Sequence, residues 1–307
     1  MNRRRMVVAT ALVSSALALT ACGGGSDPLD TSSGSGDSSP AASDTIVIGS
    51  ANFSENVLLA EIYAGALEAK GVKVEKKLNI GSRETYIPAL QDGSIDLLPE
   101  YSGALLSYLD AKSTAVSSAD VLAALPADLP DGLGVLDESE AQDKDAVLVT
   151  KETAAKYSLK SIGDMAGKNL VLGGPPEWKT RPTGVPGFKK NYGVTFKSYK
   201  SLDAGGPLTI NALKNGQVDA ADVFSTDPNI AAEGWVTLED PKNQFAAQNV
   251  LPLINKSKAS QTVTDALNSV SKVLTTDNLA GMMKEVTLDK KEPEAVAKEF
   301  LTSNSLS

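Results

Sequence analysis

The chain has 307 residues, 42% of them apolar and 22% charged, which is enough for two folded domains and excludes a chain disordered by composition. Its formal charge of −9 disfavours binding to nucleic acid. It contains no histidine and one cysteine, which excludes histidine-dependent catalysis, histidine-ligated metals, intrachain disulfides and thiolate metal clusters. We therefore expect no bound metal, no cofactor and no enzyme activity.

The N-terminus has the features of an export signal. Arginines at positions 3–5 precede fifteen mostly apolar residues at 6–20, fewer than the ~20 that span a bilayer. The stretch ends in Leu-Thr-Ala-Cys22, which looks like a bacterial lipobox whose cysteine is acylated. An ordinary secretory signal with an incidental cysteine is the alternative. We expect a lipoprotein signal peptide at 1–21 and lipidation at Cys22.

Residues 22–44 have the composition of a tether. They are rich in Gly and Ser and contain almost no large apolar side chain beyond Leu29. Such a segment cannot bury enough surface to offset the entropy lost on ordering. We expect an acidic globular body held by lipid on the extracytoplasmic face of the cell membrane.

From Thr45 onward the pattern alternates strands and helices. In the first half it predicts strands at 45–49, 72–78 and 95–99. It predicts helices from Ser54 to Gly71, from Ser82 to Leu90, from Tyr101 onward and at 118–125. Ser54 and Ser82 are the expected N-caps of the first two helices. In the second half it predicts strands at 145–150, 170–174, 194–202, 218–224 and 250–255, and helices at 188–192 and 207–213. The C-terminus predicts helices within 261–303, interrupted near Asp277 and Pro293. This alternation indicates an α/β fold.

An internal repeat divides the body in two. The pattern Ala-Leu-x-x-Gly-x-Ile-Asp96 with Tyr101-Ser five residues later recurs as Ala-Leu-x-x-Gly-x-Val-Asp219 with Phe224-Ser, at an offset of 123. The apolar run 46–49 recurs at 170–173. Chance similarity of two helix–strand units is the alternative. The repeat predicts two lobes of one architecture.

The repeat also predicts where a ligand binds. Ligands of open α/β sheets bind beyond the carboxyl ends of the strands, where Tyr101 and Phe224 both lie. If the lobes face each other, these rings come from opposite walls of a cleft. Helix N-termini at Ser54, Ser82 and Pro207 would offer N–H groups to the same space. Asp96 and Asp219 could suggest a catalytic pair, but their equivalent positions favour a shared structural role.

Several of these residues have an alternative interpretation. Tyr101 and Phe224 could be core residues at strand ends, and Trp178 could be a packing residue of its loop. Arg83 and Arg181 are the only arginines after the signal. Arginine is preferred for bidentate recognition of a carboxylate, although either residue could instead form a surface ion pair.

Six motifs resemble the glycine betaine/choline/osmoprotectant-binding proteins of ABC importers. They are Asn52-Phe-Ser-Glu55, Gly81-Ser-Arg83, Gly93-x-Ile-Asp-Leu-x-Pro-Glu-Tyr-Ser-Gly103, Arg181-Pro-x-Gly-x-Pro-Gly187, Phe224-Ser-Thr-Asp227 and Leu238-Glu-Asp240. The resemblance covers the chain from about Thr45 to its C-terminus. It implies a type II clamshell of two α/β lobes, each around a mixed sheet, with lobe 1 at 45–149 plus 251–307 and lobe 2 at 150–250.

The resemblance implies a quaternary ammonium ligand held by aromatic faces, with donors for a carboxylate. The ligand-binding residues that it and the repeat indicate are Asn52, Phe53, Ser54, Ser82, Arg83, Tyr101, Trp178, Arg181, Phe224, Ser225 and Thr226. Tyr101 matches the tyrosine of the family's PEYTG motif, Phe224 the aromatic of its AYSTD motif, and Arg181 is the candidate carboxylate partner. The implied partners are a small solute and a membrane permease with its ATPase, served by a monomer.

The chain departs from the family pattern in three places. Ala104 follows Pro-Glu-Tyr-Ser-Gly where a threonine is common, Leu208 and Thr209 lie where a tyrosine is usual, and Val147 lies where an aromatic is usual. The aromatic cage is therefore incomplete, and Trp178 is a candidate replacement wall. Another small zwitterionic or polar solute is the alternative ligand, and an exported carboxylate-dependent hydrolase or a sensor without transport are alternative functions.

Overall fold

The structure is a computed structural model that describes residues 45–307, so the expected signal peptide, tether and lipidation site at Cys22 lie outside the described residues. The strands are β1 (Thr45–Gly49), β2 (Lys73–Lys77), β3 (Leu97–Tyr101), β4 (Leu133–Val135), β5 (Asp145–Val149), β6 (Val171–Gly174), β7 (Ser198–Ser201), β8 (Ala220–Phe224), β9 (Val236–Thr237) and β10 (Val250–Asn255). The helices are α1 (Ser54–Glu68), α2 (Arg83–Gln91), α3 (Ser102–Leu109), α4 (Ser118–Asp128), α5 (Lys151–Tyr157), α6 (Val185–Tyr192), α7 (Pro207–Lys214), α8 (Asn229–Glu233), α9 (Gln261–Ser271), α10 (Thr276–Thr287) and α11 (Pro293–Ser303).

Two five-stranded mixed sheets organise these elements, in the orders β2-β1-β3-β10-β4 and β7-β6-β8-β5-β9. In each sheet the first three strands are parallel and the next two pair antiparallel. We call the part built on the first sheet the first lobe and the part built on the second sheet the second lobe. The predicted α/β fold with two lobes, each around a mixed sheet, is confirmed.

The repeated aspartates have the same role in both lobes. Asp96 accepts a hydrogen bond from the Val47 N–H through Oδ2 at 2.8 Å, and its own N–H donates to the Val47 carbonyl at 2.7 Å. Asp219 makes the same pair of bonds with Val171, at 2.8 and 2.9 Å. Each aspartate thus joins the start of β3 or β8 to the neighbouring parallel strand, which is the structural role that the repeat predicts.

The membership of β5 differs from the sequence-based boundaries. The resemblance places residues 145–149 in lobe 1, but this strand pairs antiparallel with β8 and β9 in the second sheet. The reason is its burial on both faces, since Val147 and Val149 pack into one core of the second lobe and Ala146 and Leu148 into the other. The chain therefore passes to the second lobe before β5, and it returns with β10, which pairs with β3 and β4.

The helix starts near the cleft also refine the prediction. Ser54 is not an N-cap, because the N-cap of α1 is Phe53, which has extended backbone angles and no side-chain capping bond. Ser82 is the N-cap of α2, but its hydroxyl donates to Glu84 Oε2 at 2.6 Å rather than accepting from the helix. Pro207 occupies the first turn of α7, as expected.

The C-terminal helices α9, α10 and α11 complete the first lobe. They restart at 276 and 293, next to the predicted interruptions at Asp277 and Pro293. Their apolar faces join α1 and the first sheet in one continuous core that includes Leu267, Leu279 and Leu301. The sequence patterns did not predict β4, α5, α8 or β9, which are short and partly exposed.

Candidate functional site

Three aromatic rings meet where the strands of both sheets end. Phe53 follows β1 by four residues, Tyr101 is the last residue of β3, and Phe224 is the last residue of β8. The Phe53 ring centroid lies 4.7 Å from that of Phe224 and 5.9 Å from that of Tyr101. The two lobes therefore touch at this point, and Phe53 lies between the two rings that the repeat places on opposite walls.

These rings border a cavity of about 50 Å³ between the lobes. Its walls carry aromatic rings, carboxyl groups and two arginines. The lining residues are Ala51, Asn52, Phe53, Ser82, Arg83, Tyr86, Tyr101, Ala104, Asp143, Asp145, Pro175, Glu177, Trp178, Arg181, Ala204, Asp222, Phe224 and Gln248. Ser54 and Thr226 line a neighbouring cavity instead, and Ser225 lines a third.

A buried carboxylate fixes the Tyr101 side of the cavity. Glu100 is 0% exposed and accepts hydrogen bonds from Arg83 Nε at 2.8 Å and Arg83 Nη2 at 2.7 Å. The Tyr86 hydroxyl and the Tyr101 N–H, the latter at 2.7 Å, also donate to Glu100. The guanidinium of Arg83 is thus used for a bidentate pair inside the protein.

Arg181 binds across the cleft to the first lobe. Its Nε and Nη2 donate to Glu84 of α2 at 3.1 and 2.8 Å, and Nη2 also lies 3.8 Å from Glu177. Partial burial opposes ionisation of Glu84, but hydrogen bonds from Arg181 and Ser82 lower its pKa to about 2. Arg181 therefore lines the cavity, and its guanidinium joins the lobes through Glu84.

A second set of bonds joins the lobes on the other side of the rings. Glu55, in the first turn of α1, accepts hydrogen bonds from the Tyr101 hydroxyl at 3.0 Å and the Thr226 hydroxyl at 2.5 Å. Asp143 accepts from the Thr226 N–H at 3.0 Å and from the Ser225 hydroxyl at 3.1 Å. Burial, and then the charge of Asp143, raise the pKa of Glu55 well above its usual range.

Two further carboxyl groups face the cavity from the second sheet. Asp145, the first residue of β5, accepts a hydrogen bond from Gln248 Nε2 at 3.1 Å. Asp222 on β8 is 1% exposed, and its Oδ1 has no hydrogen-bond partner among the described residues. Burial, and then the charge of Asp145, raise the pKa of Asp222 well above its usual range.

Trp178 contributes a wall from the second lobe. It lies in the short 3-10 helix Pro176–Lys179 and is 1% exposed. Its ring stacks on Phe245 at 5.8 Å and packs against Phe188 at 5.6 Å. Trp178 is therefore both a core residue of the second lobe and a lining residue, which combines the two interpretations of the sequence.

Sequence reasoning missed the acidic side of the site. Asp222 precedes Phe224 by two residues on β8, and strand side chains two apart lie on one face, so this spacing was an available signal. Asp145 pairs in register with Phe224 on the adjacent strand. No local signal identifies Asp143, Glu177 or Gln248, which come from segments that only the tertiary fold brings together.

Comparison with known proteins identifies the family. A family model described as the substrate-binding domain of the ABC-type glycine betaine transport system matches residues 44–303. The chain belongs to this family. It is therefore a substrate-binding component of an ABC transport system.

Two relatives are similar to this chain along most of their length. The carnitine transport binding protein OpuCC of Listeria monocytogenes is 27% identical over 85% of this chain and 87% of that protein. A glycine-betaine-binding protein of Pseudomonas aeruginosa is 27% identical over 87% of this chain and 90% of that protein. No helix within residues 45–307 is long and apolar enough to cross a membrane.

Solved structures show the same fold. A crystal structure described as that of a glycine betaine/carnitine/choline ABC transporter matches with a TM-score of 0.66 and 25% identity, over 85% of this chain and 99% of that one. A choline-binding protein of an ABC transporter, solved with choline, matches with a TM-score of 0.63 and 16% identity, over 85% of this chain and 89% of that one.

Proposed function

We propose that this chain is an extracytoplasmic lipoprotein that captures a small quaternary ammonium solute between its lobes and delivers it to the permease of an ABC importer. The observation that carries this proposal is the cavity at the strand ends, where the rings of Phe53, Tyr101 and Phe224 lie beside buried carboxyl groups. Aromatic faces and carboxylates attract a quaternary ammonium, which has no N–H group and can neither donate nor accept a hydrogen bond.

The names of the relatives support the solute class. The relatives are named as binding carnitine or glycine betaine, and a structure of the same fold holds choline. All three solutes carry a trimethylammonium group. The incomplete aromatic cage, with Val147, Leu208 and Ala104 at the variable places, supports a different small polar solute as the second candidate.

A thermal-shift screen tests the solute class. Choline, glycine betaine and carnitine are compared with uncharged polyols on the purified protein. A solute present at 100 times its dissociation constant stabilises the folded state by about 2.7 kcal/mol, which raises the melting temperature visibly. Stabilisation by a polyol, with none by any quaternary ammonium, would contradict the proposal and favour the second candidate.

Membrane attachment through Cys22 is a separate part of the proposal. It rests on the lipobox and on the Gly/Ser-rich composition of the segment that follows. We expect the unaltered protein to fractionate with membranes and Cys22→Ala to appear in the soluble extracytoplasmic fraction. A Cys22→Ala protein that still fractionates with membranes would contradict lipid anchoring.

A further inference from the structure

The charges around the cavity do not balance. Two arginines line it, but each already binds a carboxylate that lies outside the lining. Arg83 binds Glu100 through two nitrogens, and Arg181 binds Glu84 through two nitrogens. The remaining lining carboxyl groups are Asp143, Asp145, Glu177 and Asp222. Of these, Glu177 is near a cation, with Arg181 at 3.8 Å.

Asp222 is the lining carboxyl group whose side chain makes neither a hydrogen bond nor an ion pair with another described residue. Asp145 accepts from Gln248, and Asp143 accepts through Oδ1 from the Thr226 N–H and the Ser225 hydroxyl, although its Oδ2 has no partner among the described residues. Asp222 is 1% exposed, lines the cavity, and has an Oδ1 without a partner among residues 45–307. A buried carboxyl oxygen without a donor costs free energy, so a group that enters the cavity is the natural donor.

The same contacts disfavour a ligand carboxylate. A carboxylate binds best to two parallel donors of one guanidinium, and Nε and Nη2 of Arg83 and Arg181 already donate to Glu100 and Glu84, which leaves one terminal nitrogen on each arginine. Gln248 Nε2 donates to Asp145. A ligand carboxylate would also add negative charge beside Asp145 and Asp222 and oppose their ionisation further, whereas a cationic ligand would favour the ionised form of Asp222.

We propose that the ligand is a small ammonium cation without a carboxylate, whose O–H or N–H group donates a hydrogen bond to Asp222. Its apolar part lies against Phe53, Tyr101 and Phe224. This inference rests on the proposed function and narrows it, because it separates cations of the choline type from zwitterions of the betaine type.

Calorimetric titration of the purified full-length protein with four matched solutes tests the inference. Choline and glycine betaine share a trimethylammonium group, and ethanolamine and glycine share a primary ammonium. One member of each pair carries a hydroxyl and the other a carboxylate. We expect choline to bind at least tenfold more tightly than glycine betaine.

The variant Asp222→Asn keeps the shape of the side chain and cannot ionise beside a bound cation. We expect it to weaken choline binding at least tenfold and to leave glycine betaine binding unchanged or tighter. Tetramethylammonium, which has no O–H or N–H donor, should lose less affinity than choline. The matched control is Asp128→Asn, which removes an exposed charge on α4 away from the cavity and should change none of these affinities.

The outcomes separate this inference from the proposed function. Glycine betaine that binds as tightly as choline, or an Asp222→Asn protein with unchanged choline affinity, would overturn the inference and leave the function standing. If ethanolamine binds and choline does not, the ligand is a cation without a carboxylate, as inferred here, but the proposed capture of a quaternary ammonium solute is overturned. Binding of none of the four solutes would overturn the function and the inference with it.

Discussion

At the scale of single residues, Glu100 determines the geometry of one wall of the cleft. It receives donors from Arg83, Tyr86 and the Tyr101 N–H, and it is fully buried. Four hydrogen bonds to one carboxylate restrict the side chains of α2 and the end of β3 together. The position of the Tyr101 ring therefore depends on a residue that does not line the cavity.

The variant Glu100→Gln should be strongly destabilised. It leaves the guanidinium of Arg83, whose side chain is 12% exposed, without its charge partner, and breaking one side of a buried ion pair costs about 3–5 kcal/mol. Urea unfolding measures the loss. The control Glu299→Gln removes an exposed carboxylate from Lys291 and should change the unfolding midpoint little. Equal midpoints for the two variants would contradict the prediction.

At the scale of elements, the lobes are joined by two contacts on opposite sides of the aromatic rings. Arg181 joins the loop after the 3-10 helix 176–179 to α2 through Glu84. Glu55 joins the start of α1 to the segment after β8 through Thr226. The first contact is an ion pair and the second contains a titratable carboxyl group. Salt should therefore weaken the first and pH the second, and both should change how readily the cleft closes when no ligand is present.

The ion pair between Arg181 and Glu84 should stabilise closure and not distinguish between ligands. Arg181→Gln and Glu84→Gln should each weaken choline and glycine betaine binding by similar factors, because the guanidinium binds Glu84 and not the ligand. Glu84 is 45% exposed, so the coupling energy should be below about 1 kcal/mol and should fall with added salt. A double-mutant cycle measures it. A selective loss of glycine betaine in Arg181→Gln would show that Arg181 meets a ligand carboxylate.

The second contact should make closure depend on pH. Burial raises the pKa of Asp143 to about 6, and burial and Asp143 raise that of Glu55. In separated lobes both groups would have ordinary values near 4. Closing the cleft between the lobes then binds protons at Glu55 and Asp143. The stabilisation of the closed form by these two groups is therefore fully present below pH 4 and is lost as pH rises through about 6.

Distance measurements between spin labels on the two lobes, without ligand, test this dependence. We expect the closed fraction to fall between pH 5 and pH 8. Glu55→Gln should remain closed at pH 8, because the amide has the shape of the protonated acid and can donate to Asp143. A closed fraction that does not change with pH in the unaltered protein would contradict this mechanism.

At the scale of the whole molecule, the two lobes repeat one design. The strand orders correspond, and Asp96 and Asp219 join equivalent strands by the same two hydrogen bonds. Two equivalent sheets whose carboxyl ends face one another form a cleft that neither lobe could form alone.

The repeat predicts that equivalent substitutions have similar effects. Asp96→Ala and Asp219→Ala each remove the acceptor of a strand N–H, Val47 in one lobe and Val171 in the other. Each should lower the free energy of unfolding by about 1–3 kcal/mol, and neither should alter ligand specificity. Urea unfolding measures the loss of stability, and solute titration checks that ligand specificity is unchanged. A change of specificity in either variant would indicate that its aspartate acts on the ligand.

Much of the fold follows from the sequence because its signals are local. β1 and β10 have the predicted bounds, and the C-terminal helices restart beside the predicted interruptions. The repeat predicts two lobes and a structural role for Asp96 and Asp219, and the structure confirms both. The helix predicted from Tyr101 onward is present, but the burial of its first residue has no local signal, because Ser102 is hydrogen-bonded to the Asn249 backbone, 147 residues away.

The candidate site also has parts that the sequence predicts and parts that it does not. Phe53, Tyr101 and Phe224 could be found from the sequence, because strand ends and motif spacing are properties of one segment. The unpartnered Asp222 and the pairing of Arg181 with Glu84 could not, because a carboxylate's burial and an arginine's partner depend on which distant segments meet it. The sequence by itself determined the family, the two lobes and the aromatic rings. Only the tertiary structure decided the charge of the cavity, since charge balance is a sum over groups from both lobes.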